Sequence, residues 1–166
     1  MRVWLVFLLL LVGACPTPLR RPAEIGHLEI EWGGPDRGKI SASATAEWCA
    51  PRRMLEIRAI QGDTGIAVAL YFKDTITGGR YRVVAPHTAE SLPPAAAVGL
   101  RWFTQNAVKG FQGDGGTVIL ERSQSGELGG NLAAGTRSVV DTQRVAVKGT
   151  FEGLAIRPAN GCSVVH

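Results

Sequence analysis

Three cysteines, three histidines and 14 acidic residues are the groups in this 166-residue sequence that could do chemistry. His27, His87 and His166 lie far apart, with no His-x-x-His and no paired-cysteine spacing, so nothing predicts a metal centre. Asp36, Asp63 and Asp114 each sit in a glycine-containing loop: GGPDRG, GDTG and GDGG. Calcium needs several oxygen ligands in one loop, and each of these supplies one carboxylate, so turn chemistry explains them better. No Gly-x-Ser-x-Gly elbow is present, and Ser123-Gln124-Ser125-Gly126 reads as a turn. No phosphate-cradling GxxxxGK[ST] loop occurs; Gly113 to Gly116 lies among strands. Glu29 and Glu31 share a strand face, as a glycosidase pair would, but every second residue there is polar and the face reads as solvated. The sequence nominates no catalytic residue, no metal ligand and no cofactor.

The cysteines say more. Met1 to Ala14 reads as a signal peptide: Arg2, an unbroken apolar run from Val3 to Val12, then Gly13 and Ala14. The run is too short for a permanent span, which needs about 20 apolar residues. Its end, Leu11-Val12-Gly13-Ala14-Cys15, resembles the lipobox of bacterial lipoproteins. The resemblance implies a diacylglycerol on the Cys15 thiol and cleavage before it, so that Cys15 leads the mature chain. A chance cysteine after an ordinary signal peptide, or a short buried helix, is the alternative. Pro16, Pro18 and Pro22, with Arg20 and Arg21 between them, cannot continue a helix and read as a stiff tether over 15–25. Pro16 stands where an Asp favours inner-membrane retention in enterobacterial lipoproteins. Its presence leans towards the outer membrane, if the host has one.

In that oxidising setting the remaining two cysteines, Cys49 and Cys162, are expected to form a disulfide. Such a bond closes a loop of about 113 residues, for which the chain-entropy model gives at most about 4–5 kcal/mol. Two separately buried thiols are the alternative.

The net charge of +4 is mild, and no basic run is present beyond Arg20-Arg21, Arg52-Arg53 and the spaced pair Arg80 and Arg82. Without a basic stripe interleaved with aromatics, a nucleic-acid partner is not expected. Solvated faces, with some attraction to anionic lipid headgroups, suit the arginines better.

The body that must carry these groups reads as one domain over 26–166, with a dominant period of two. Ile40, Ala42, Ala44, Ala46 and Trp48 alternate with Lys39, Ser41, Ser43, Thr45 and Glu47; Leu28, Ile30 and Trp32 alternate with His27, Glu29 and Glu31. Leu55, Ile57 and Ala59, the turn Gly62-Asp63-Thr64-Gly65, and the doubly apolar Ile66 to Phe72 make a hairpin. Tyr81, Val83 and Ala85 alternate with arginines, while Val98, Leu100 and Trp102 fit a strand better than the competing helical face of Ala96, Leu100, Phe103 and Ala107. Strands over Thr117–Arg122, Leu128–Ala134 and Val145–Phe151, with Leu154 and Ile156 trailing, complete the pattern. About seven to nine such strands predict an all-β, antiparallel sandwich or barrel.

The series Gly116-x-Val118-x-Leu120, Gly126-x-Leu128-x-Gly130-x-Leu132 and Val145-x-Val147-x-Gly149-x-Phe151 resembles the end of small β-sandwich lipoproteins of environmental bacteria. It covers about the last third of the chain, implies the fold, and carries over no functional residue. Three functions follow as expectations. One is a lipid-anchored, non-catalytic envelope lipoprotein that binds a partner protein, with Arg80, Tyr81, Arg82 and Trp102 as candidate exposed contacts. Another is a lipocalin-like barrel carrying a small apolar ligand among Trp32, Trp48, Trp102 and the strand Ile66 to Phe72. The third is a hydrolase whose residues converge from distant loops.

Overall fold

A computed structural model describes residues Gly26–Asn160 and Cys162. The expected signal peptide over 1–14, Cys15 and the expected tether over 15–25 lie outside them, as does His166.

Alternation produces the strands it predicts. β1 (Gly26–Gly33) buries Leu28, Ile30 and Trp32, and β2 (Gly38–Cys49) buries Ile40, Ala44 and Ala46. β3 (Met54–Gln61) and β4 (Thr64–Tyr71) form the expected hairpin, turning on Gly62 at a φ of 55°, which favours glycine. β6 (Ala95–Phe103) settles the ambiguous stretch as a strand. β7 (Val108–Arg122), β8 (Leu128–Ser138) and β9 (Arg144–Leu154) continue the meander.

Each strand of this series hydrogen-bonds its neighbours, and β1 pairs with both β9 and β2, closing an eight-stranded barrel. The architecture is therefore a barrel, and the two face-to-face sheets of a sandwich are not formed. Closure rests on seven residue pairs between β1 and β2, from Gly26↔Ala44 to Trp32↔Gly38. Only the first half of β2 makes those pairs; its second half, from Ala44, pairs with β3. Within that first half, beyond the last β2–β3 pair, the Gln61 amide oxygen accepts from the Ser41 backbone N–H at 2.9 Å.

Two strands stand outside the ring. β5 (Gly79–Arg82) pairs with β7, while β6 pairs with β7 only at Gly99–Phe103. Val83 N–H donates to the Gly116 carbonyl and Val84 N–H to that of Ala96, so this segment seals the seam between β6 and β7. Before β6, α1 (Pro86–Ser91) is a single short helix that the strand reading did not anticipate. It lays Ala89 over Tyr71, Ala95 and Ala97 on the outer wall, and burial there pushes the Tyr71 phenol above its usual pKa. β10 (Ile156–Pro158) runs parallel to the end of β2 and returns the chain to Cys49.

Eight strands enclose a space that side chains can fill. Phe151, Leu28, Ile30, Leu55, Leu100 and Leu132 are among the large side chains less than 2 % exposed and fill that space. Trp48, Phe72 and Tyr81 pack edge to face at the end where Gly26 enters, with centroids 5.7 and 5.3 Å apart. Trp32, Trp102 and Phe111 stack at the far end, at 5.3 and 4.9 Å. The ring of strands, its closing pairs and the disulfide all fall between Gly26 and Cys162.

Candidate functional site

Strand direction divides the barrel's loops into two sets. The entry end carries Gly26, β5, α1, the β7–β8 turn and the disulfide; the far end carries the β1–β2, β3–β4, β6–β7 and β8–β9 connections. The exposed large hydrophobic side chains divide unevenly between them. Ile60, Phe103, Val108, Val139 and Val140 stand at the far end, and Leu92 alone at the entry side, among the described residues. Val140 is 77 % exposed and Phe103 51 %.

The loops that present these side chains are internally bonded. In the β8–β9 loop the Ser138 hydroxyl accepts from the N–H groups of Val140 and Asp141, and Asp141 accepts from Gln143 N–H at 2.9 Å. That backbone bond is the main reason the Asp141 carboxyl is held below its usual pKa. In the β6–β7 turn Thr104 and Ala107 bond through backbone and hydroxyl, which sets Phe103 opposite Val108. The turn chemistry of Ser, Asp and Thr thus points apolar groups outwards.

Behind this rim stand cations. Arg37, Arg101 and Arg137 make no salt bridge among the described residues, whereas Lys109, Arg144, Lys39 and Lys148 do. Arg137 lies directly across from Arg144 in the β8–β9 register, a like-charge juxtaposition that costs stability unless an anion relieves it. Arg144 shares its charge with Asp114 at 2.9 Å; Arg137 has no such partner among the described residues. Next to this pair, Arg37, Lys39 and Lys148 border a shallow hollow of about 760 Å³ floored by Ala133, Gly135 and Ala146. On the opposite wall a groove of about 420 Å³ runs between Ile60 and Val139, with Arg58 and Arg101 beside it and Gly65, Ala67 and Gly99 as its floor.

The residues singled out from sequence fare unevenly. Cys49 and Cys162 are bonded, with Cα atoms 5.7 Å apart. Arg80 and Arg82 are exposed on β5, but Tyr81 is 3 % exposed and donates its hydroxyl to the Thr77 carbonyl at 2.5 Å, so it is not a surface contact. Alternation on β5 turns Tyr81 inwards while it turns the arginines out. Trp102 is half-buried in the far-end stack and offers only part of its edge. Glu29 pairs with Lys39, and Glu31 with Lys148 at 2.7 Å, on the solvated face expected for them.

Among the described residues no group of three His, Cys, Asp or Glu side chains converges to hold a metal. One pair suggests nucleophilic chemistry: His27 Nε2 lies 3.0 Å from Ser41 Oγ. Both are exposed on the outer wall, and the neighbouring Glu29 carboxylate is committed to Lys39. A triad needs an acid orienting the imidazole and donors for an oxyanion. Neither accompanies this pair among the described residues.

No protein-family model, curated protein or solved structure matches this chain. The sequence alternation missed the rim because Val139-Val140 interrupts it; the signal available was two aliphatic residues inside the turn sequence Ser138 to Gln143.

Proposed function

We propose that this protein is a lipid-anchored envelope lipoprotein whose barrel is a non-catalytic binding module, working through its far end. The observation that carries the reading is the segregation of exposed apolar side chains to the end opposite Gly26. The lipobox-like Leu11 to Cys15 and the tether after it would attach the barrel by its entry end. Eleven residues, 15–25, reach about 35 Å when extended, which leaves the far end free to face a partner. Outer-membrane placement rests on Pro16 alone.

The anchor is tested by growing cells on labelled fatty acid. Label should enter the wild-type chain and be absent from Cys15→Ser, which should also escape processing; label retained by the variant overturns anchoring. The binding end is tested with a photo-crosslinking residue at position 140 or at position 80. Cross-links in cells should arise from position 140 and not from position 80; the reverse pattern overturns the assignment of the binding end.

The up-and-down closure also suits the second reading, a lipocalin-like carrier of a small apolar ligand. Carriage inside the barrel would require the Trp32–Trp102–Phe111 stack to open. Quenching of tryptophan fluorescence by an added long-chain fatty acid would favour it.

A further inference from the structure

We infer that the far end docks on an anionic lipid surface, a deeper claim that rests on the far end being the binding end. Its apolar groups are carried by convex loop tips and strand ends from separate connections: Ile60, Phe103 with Val108, and Val139 with Val140. Cations stand at a set depth behind them. Arg101 precedes Phe103 by two residues, and Arg137 precedes Val139 by two. At about 3.3 Å per strand residue, each guanidinium root lies about 7 Å behind its apolar neighbour. An amphipathic surface that enters the boundary between headgroups and acyl chains buries its apolar side about 5–10 Å. The same immersion that covers Phe103 and Val140 therefore brings Arg101 and Arg137 to the level of the lipid phosphates.

Charge agrees with that placement. Arg37, Arg101 and Arg137 carry no salt bridge among the described residues; Asp114 takes up the Arg144 charge, which leaves Arg137 as the member of that pair a lipid phosphate would satisfy. The acidic groups at this end are Glu31, Asp36, Asp63, Asp114 and Asp141. Glu31 is paired with Lys148, Asp36 with Lys109 and Asp114 with Arg144, while Asp63 and Asp141 carry no salt bridge among the described residues. Three arginines without a salt bridge against two such carboxylates leave a tip of aliphatic and aromatic groups ringed by a slight excess of positive charge. A lipid surface needs no shaped counterpart, and bonded loops that point valines outwards suit it. Anchored at one end and adhesive at the other, the barrel would bridge its own membrane to a second lipid surface.

The test is flotation of a chain beginning at Pro16, which retains the whole barrel and its disulfide, with vesicles of phosphatidylcholine alone or with phosphatidylglycerol added. The wild-type chain should float with the anionic vesicles about tenfold more efficiently than with neutral ones, and lose most of that in high salt. Val140→Ser with Phe103→Ser, both exposed positions, should cut flotation about tenfold while the circular dichroism and disulfide stay unchanged. Arg101→Gln with Arg137→Gln should abolish the preference for phosphatidylglycerol. Equal flotation with neutral and anionic vesicles, or none with either, overturns the lipid assignment, and so does undiminished flotation of the serine variant. If vesicles fail while position 140 still cross-links a protein in cells, the partner is that protein and the binding end stands.

Discussion

Lys109 reaches across the mouth of the barrel to Asp36, joining β7 to the β1–β2 loop 73 residues away in sequence, at a separation of 2.5 Å. Lys109 pairs with Trp102 in the β6–β7 register, so the ammonium lies beside the aromatic stack that fills this end. The contact holds the loop bearing Arg37 against the strands bearing Phe103 and Val108. Both side chains are about one-third exposed, which weakens the attraction but leaves it more than a surface pair.

Replacing Asp36 with Asn should therefore cost only about 1 kcal/mol of stability. Its local effect should be larger: backbone amides between Gly33 and Gly38 should exchange faster with solvent. Hydrogen exchange measured by mass spectrometry checks this, and unchanged protection there would show that the pair does not hold the loop.

Gly38 lies flat against the Trp32 indole, leaving no room for a Cβ at that position. Gly38→Ala should displace the ring from Trp102 and destabilise the barrel by about 1–3 kcal/mol, as overpacking does. A lowered melting temperature with altered tryptophan fluorescence is the expected result. Gly99→Ala, where a Cβ meets open space, is the control and should melt with the wild type.

The Cys49–Cys162 bond fastens β10 beside β2 and closes a 113-residue loop. Reduction, or the double change Cys49→Ala with Cys162→Ala, should lower stability by at most about 4–5 kcal/mol. Non-reducing mass spectrometry should find one linked peptide in protein isolated from its cells; two alkylatable thiols would refute the bond.

Lys39, mainly through its hydrogen bond and then its charge, holds the Glu29 carboxyl below the usual glutamate range, and Glu29 raises Lys39 in return. Because the carboxyl is depressed in the folded state, its contribution is present above the ordinary glutamate pKa. It is lost as pH falls through the lowered folded value. The raised lysine contributes below its ordinary pKa and loses that contribution as pH rises through its folded value. Glu29→Gln should therefore flatten both the acid and the alkaline limbs of a stability–pH curve, measured by denaturant melts, while leaving the neutral fold intact. Glu31 raises Lys148 in the same way, so Glu31→Gln should flatten the alkaline limb.

Much of this protein is legible in its residues alone. Strict alternation in Lys39 to Trp48 assigns both the strand and its buried face, because a pleated chain turns every second side chain inwards. Gly62-Asp63 defines a hairpin since few other residues tolerate its backbone, and two spare cysteines foretell their bond. What alternation cannot hold is the long-range partner of a strand edge. Whether β1 leaves its edge open or pairs with both β9 and β2 depends on twist and bend accumulated around the whole sheet, so sandwich and barrel read alike in sequence. The same holds for β5, whose alternation was visible but whose place in the β6–β7 seam was not, and for Tyr81, drawn inwards by that placement. The far-end rim is likewise tertiary. Ile60, Phe103 and Val140 come from separate connections, and only closure of the barrel places those connections at one end.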